Sequence, residues 1–361
     1  MKFLFLVLLS ISAFAKDYKS GDVKFAVDTL ISREDVIWGF DFLPDGKVIF
    51  TERGGVMGIL DPKTKTAFPL KNVPKVHSAG QGGLLDVRVH PDFAKNNLIF
   101  FTYSEPVGED STTALAKAEL KGSELVNVKK LFTAWKPNSN DHHYGSRIVF
   151  DGKGHIFFSV GERGKQDMAQ DIEYHMGKVL RINEDGTIPK DNPFANAKGA
   201  KPEIWSYGHR NPQGLVMKPG TDELWEAEFG PRGGDEINLV ERKKNYGWPI
   251  ATYGREYHGP KIADGTKSGT EQPIVYWVPS ISPSAMTFYN GSNFPEWKDN
   301  IFLACLGEQH LRRLEMNGRK VVKQEELIKD LDWRFRNVRT GPDGNMWFST
   351  DEGKIGRLIR K

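Results

Sequence analysis

The sequence predicts an all-β chain, a six-bladed propeller of four-stranded antiparallel blades. Three observations predict it. One strand–turn–strand unit recurs along the chain, its copies are evenly spaced, and long helical periodicity is nearly absent. Each unit is an apolar strand, a tight turn of Pro, Asp or Gly, a second apolar strand, then a polar or glycine-rich stretch. Six copies at roughly 50- to 70-residue spacing match the repeat of a propeller blade.

The first copy spans residues 40–50 and turns at Pro44-Asp45-Gly46. The second runs from Val87-Arg88-Val89-His90-Pro91-Asp92-Phe93 into residues 98–103. The third, residues 148–158, turns at Asp151-Gly152. Looser copies lie at 215–225 and 286–302, and the last, 338–348, turns at Pro342-Asp343-Gly344. Asp-Gly between apolar runs is a strong hairpin signal, because two-residue turns need the positive φ these residues tolerate. Residues 23–31 read as a strand that completes the last blade and closes the ring. A pair of β-sandwich domains would call for a linker, and no Pro- or Ser-rich linker interrupts the repeat.

Residues 1–15 combine Lys2, an apolar run at 3–9 and a closing Ala13-Phe14-Ala15. That is the pattern of a secretory signal peptide cleaved after Ala15, leaving a 16–361 propeller domain in the periplasm or outside the cell. The run is far shorter than the roughly 20 apolar residues of a membrane span. The one cysteine, Cys305, rules out an intramolecular disulfide, so the exported chain relies on its core or on metal. A net charge of +3 is too balanced for a nucleic-acid partner.

Fold alone gives no function, so the loops must decide. Asp141-His142-His143-Tyr144 precedes a strand. If that segment is extended, the two imidazoles face opposite ways, and one of them faces the axis as a general base. Glu162, just after the strand at 156–160, can take a hydrogen bond from that histidine and raise its basicity. Arg210-Asn211 offers a fixed planar cation and an amide. Arg334 and Arg336, two apart, reach one place and call for a ligand with several carboxylates. Gln81 sits beside Gly82 and Gly83, which permit close backbone approach to a ligand. Gly230-Pro231 and Asp235-Glu236 offer carbonyl and carboxylate oxygens suited to calcium. No G-x-G-x-x-G between strand and helix, no zinc spacing and no G-x-S-x-G elbow is present.

The ordered set Gly80-Gln81-Gly82-Gly83-Leu84-Leu85, Met176-Gly177-Lys178-Val179-Leu180-Arg181, Gly208-His209-Arg210-Asn211-Pro212-Gln213-Gly214, Asp235-Glu236-Ile237-Asn238-Leu239 and Asn245-Tyr246-Gly247-Trp248-Pro249 resembles the quinoprotein glucose/sorbosone dehydrogenase family. Within it, the chain is most similar to the soluble aldose sugar dehydrogenases that use pyrroloquinoline quinone (PQQ). The resemblance implies PQQ and calcium at the propeller mouth, an aldose substrate and an electron acceptor that it does not name. It implies His143 as the base, Glu162 as its supporting acid and Arg210 as the cation facing the quinone oxygen. Gln81, His143, Arg210, Asn211, Arg334 and Arg336 match cofactor-contacting positions. The Gly230 and Pro231 carbonyls, with Asp235 close behind, match a calcium site, and Glu236 with the Tyr246 carbonyl a second one.

One departure stands out. Some family members place a cofactor-binding lysine in the fifth-blade loop, and Ala304-Cys305-Leu306-Gly307-Glu308-Gln309-His310 has none. The segment after Pro249 is short, which implies an open mouth and broad aldose tolerance. Two other readings compete: a calcium-dependent lactonase, and a propeller that binds carbohydrate without catalysis. Clustered arginines count against the first of these, and the missing lysine favours the second.

Overall fold

Strands and turns alternate throughout the computed structural model, which describes residues 16–361. The proposed leader and its cleavage point lie outside the described residues. Six antiparallel sheets follow one another along the chain. In the first, the strands Ile37–Phe42, Val48–Glu52, Val56–Asp61 and Thr66–Pro69 run in sequence order from the axis outward. The expected six blades are therefore present.

The sixth blade takes its three inner strands, Phe335–Thr340, Met346–Thr350 and Lys354–Arg360, from the end of the chain. Its next strand is Val23–Ser32. Val27 pairs with Leu358 and Phe25 with Arg360, which closes the ring as expected. A short extra strand, Asp17–Ser20, makes this one sheet five-stranded. It covers the edge that Val23–Ser32 would otherwise leave unpaired.

Alternation along each strand buries one row of side chains against the next blade. Aromatic pairs mark these seams. Phe42 meets Trp347 between blades one and six at 5.3 Å, Phe100 meets Phe150 between two and three at 5.2 Å, and Trp225 meets Phe288 between four and five at 5.5 Å. All three adopt the edge-to-face geometry that the ring quadrupole prefers.

The axis is polar. Buried Arg147, at the start of blade three, donates to Asp86 in blade two (2.8 Å), the Gln213 carbonyl in blade four (2.8 Å) and the Ser284 carbonyl in blade five (3.0 Å). Its guanidinium also lies 4.4 Å from the Trp38 ring of blade one. One side chain thus ties four blades to its own.

Candidate active site

At one end of the axis, two kinds of segment converge. One is the chain entering the innermost strand of each blade, which brings Gln81, His143, Arg210 and Arg334. The other is the hairpin after the second strand, which brings Glu162, Pro231, Leu306 and Asp351. Antiparallel order puts both at the same end. The Asp-Gly turns that revealed the repeat lie at the opposite end.

A cavity of about 250 Å³ sits there. Gln81, His143, Arg210, Asn211, Arg334 and Arg336 all line it, so the residues expected to grip one ligand come from separate blades to one hollow. A second cavity of about 390 Å³ adjoins it and shares Gln81, His143, Arg210 and Pro231.

His143 Nδ1 lies 2.5 Å from Glu162 Oε1, and Glu162 is buried. The His143 amide donates to Gln81 Oε1 at 2.8 Å, and the Gln81 amide donates to the Asp141 carbonyl at 2.7 Å. Two corrections to the sequence reading follow. The segment is not extended: His143 has φ 57, and its ring packs edge-on against His142 at 4.5 Å. Both histidines therefore line the larger cavity. Glu162 does raise the affinity of His143 for a proton, but burial, joined by the Arg210 charge, outweighs it and leaves the pKa at about 4. The imidazole is neutral near pH 7, with Nε2 open to accept a proton.

Arg210 is anchored on several sides. Its amide donates to Glu228 Oε2 at 2.6 Å, and its Nη1 reaches the Gly230 carbonyl at 2.9 Å. Its guanidinium sits 5.3 Å from the Trp248 ring, and Nη2 is 3.5 Å from the Tyr257 hydroxyl. Asn211 Oδ1 accepts from the Gly145 amide, binding blade four to blade three. Arg334 and Arg336 share Asp351, with Nε contacts of 3.0 and 2.8 Å. Against burial, the two guanidiniums hold the Asp351 carboxyl below its ordinary range.

The calcium candidates divide. Pro231 lines both cavities, while the Gly230 carbonyl already accepts from Arg210 and keeps one lone pair for another partner. Asp235 departs from its expected role. Its carboxylate accepts from the Gly230, Ile281 and Ser282 amides and the Ser280 hydroxyl, so it clasps blade four to the entry of blade five. Its lone pairs are used inside the protein. Glu236 and Tyr246 do meet, around a hollow of about 10 Å³ that Glu228 also lines, room for one ion or one water.

Behind this hollow, His209 Nδ1 stands 3.5 Å from both Glu226 and Glu228. Glu226 Oε2 is buried without a hydrogen-bond partner among the described residues. Burial, then the Glu228 charge, raises Glu236 well above the usual carboxylate range. Three crowded carboxylates and an unpartnered oxygen suit a hard divalent cation.

Sequence reasoning missed Arg53, Gln213, Glu228, Tyr257 and Asp351. Asp351 had a usable signal, since it is a carboxylate in the hairpin after its blade's second strand, where Glu162 lies in blade three. Tyr257 belongs to the segment after Pro249, which was expected to leave the mouth open. That segment instead brings Glu256 and Tyr257 to the wall of the larger cavity.

The model of the glucose/sorbosone dehydrogenase family matches residues 34–360. The chain is 42% identical over 342 residues to aldose sugar dehydrogenase YliI of Escherichia coli K12, covering 92% of each. It is 27% identical to quinoprotein glucose dehydrogenase B of Acinetobacter calcoaceticus, covering 95% of this chain and 88% of the other. Among solved structures, the apo-form of the soluble E. coli aldose sugar dehydrogenase superposes with a TM-score of 0.89 at 41% identity, covering 93% of this chain and 99% of that one. The PQQ-bound aldose sugar dehydrogenase of Streptomyces coelicolor superposes with a TM-score of 0.79 at 25% identity, covering 95% and 100%. A match across nearly the whole propeller, with the arginines and the His143–Glu162 pair gathered at one mouth, places this chain in the glucose/sorbosone dehydrogenase family of oxidoreductases.

Proposed function

We propose that the protein is a PQQ- and calcium-dependent aldose dehydrogenase that oxidises the anomeric carbon of a sugar to a lactone. The observation that carries this reading is the convergence of Arg210, Arg334 and Arg336 on one hollow with neutral His143 at its edge. Clustered guanidiniums in a cavity need anions, and PQQ has three carboxylates. When bound, PQQ would supply the hydride-accepting quinone, and calcium would polarise it.

The chain's own residues would do the rest. His143 Nε2 would take the proton of the anomeric hydroxyl, while Glu162 holds the ring by Nδ1. Arg210, fixed by Glu228 and the Gly230 carbonyl, would face the negative charge that develops on the cofactor oxygen. An anion beside Arg210 would offset one of the effects that depress His143, making it a stronger base in the loaded enzyme. Gln81, Asn211, Arg334 and Arg336 would hold the cofactor. Gly230 and Pro231 would offer carbonyls to its calcium, and Glu236, Glu228 and Tyr246 would hold a second ion. Export by the 1–15 leader, to the periplasm or beyond, is part of this proposal, and the electron acceptor stays open.

The lactonase alternative calls for acidic ligands converging on the axial cavity. Asp351 there is already shared by two arginines, which weighs against it. The test adds PQQ and calcium to the apoprotein and follows dye reduction with glucose and other aldoses. PQQ-dependent reduction is the expected result. Its absence would overturn the proposal, and lactone hydrolysis with calcium alone would favour the hydrolase.

A further inference from the structure

We propose that Arg53 is an additional anchor for the carboxylates of the bound cofactor, supplying from blade one the cation that the fifth-blade loop lacks. This rests on the PQQ reading above. Arg53 follows the strand Val48–Glu52, in the hairpin after the second strand, the one that gives Glu162 in blade three, Pro231 in blade four and Asp351 in blade six. In blade five the same position is Leu306, which lines the cavity and brings no charge.

The backbone of Arg53 is fixed. Its amide donates to the Val36 carbonyl and its carbonyl accepts from the Leu84 amide, both at 2.9 Å. Gly83, at φ +146, packs on it so closely that a Cβ there would collide with the Arg53 carbonyl. The glycine pair beside Gln81 therefore lets blade two seat Arg53 at the mouth. Its guanidinium differs from the other three. Arg210, Arg334 and Arg336 are each held by protein oxygens, whereas that of Arg53 has no hydrogen-bond or ion-pair partner among the described residues.

The charge balance points the same way. Four guanidiniums and the single carboxylate of Asp351 line this cavity, beside a neutral histidine. That leaves a net positive wall even before a calcium ion is added, which suits a ligand with several carboxylates. A carboxylate reaching Arg53 would meet N–H donors that no protein oxygen already uses, a charge-assisted contact that breaks nothing inside the protein. Arginine also cannot shed its proton to relieve the repulsion among these cations.

The test measures PQQ affinity of the apoprotein, with calcium present, by quenching of tryptophan fluorescence (Trp38 lines the cavity) at low and moderate salt. Wild type is expected to bind. Arg53→Gln should bind about 10- to 100-fold more weakly, the range for loss of one charged hydrogen-bonding contact. Its affinity should also depend less on salt, and its unfolding midpoint without cofactor should be unchanged. Arg53→Lys, a point charge without the planar fork, should lie between the two. Equal affinity in wild type and Arg53→Gln would overturn the role of Arg53 alone. A wild-type protein that binds no PQQ would overturn the functional reading itself.

Discussion

His143 is the residue on which the chemistry turns, and its surroundings set its proton affinity. Burial and the Arg210 charge depress it, and Glu162 only partly restores it. The folded pKa, about 4, lies below the ordinary 6.5, so the ring stays neutral as pH falls and protonates only near the lower value. NMR titration of the apoprotein should place the His143 midpoint near pH 4, and Glu162→Gln, which removes a proton-favouring partner, should move it lower still. A midpoint near 6.5 would contradict the burial seen here. His143→Ala should lower turnover of the reconstituted enzyme at least about a hundredfold. Near-normal turnover would remove His143 as the base.

At the scale of elements, short irregular segments build the site. His143 and Ser282 adopt the left-handed region, at φ 57 and 55, in the entries to blades three and five. This is why alternation along an extended strand misjudged His142 and His143. The Asp235 clasp belongs to the same scale: one carboxylate satisfies three amides and a hydroxyl where blade four meets blade five. Asp235→Ala would strand those buried donors and should lower stability by about 3 kcal/mol or more in calcium-free buffer, read from urea unfolding. A loss that shows only when calcium is present would instead make Asp235 a metal ligand.

For the whole molecule, the hazard of a propeller is its polar axis, where six sheet edges meet without room for an apolar core. Arg147 bridges that space to four other blades and stacks on Trp38. Removing one partner of a buried ion pair leaves the other uncompensated. Arg147→Ala should thus lower stability by about 3 to 5 kcal/mol, measured by guanidinium chloride denaturation. A change below about 1 kcal/mol would show that the seams alone hold the ring.

The sequence alone determined the six-fold repeat, the strand that closes it and most residues around the cavity. These rest on local signals: alternation, Asp-Gly turns, and functional side chains set in ordered motifs. The Asp-Gly turns mark the end of the propeller away from the site, so they revealed the fold without revealing the mouth. Only the tertiary structure decided that Asp235 is a clasp, that both histidines face one cavity, that Arg147 pins the axis and that Arg53 reaches the mouth. It also decided the net depression of His143. Each of these depends on burial and on partners tens to hundreds of residues away in the chain, and a local pattern cannot encode the dielectric surroundings or the company that a folded ring supplies.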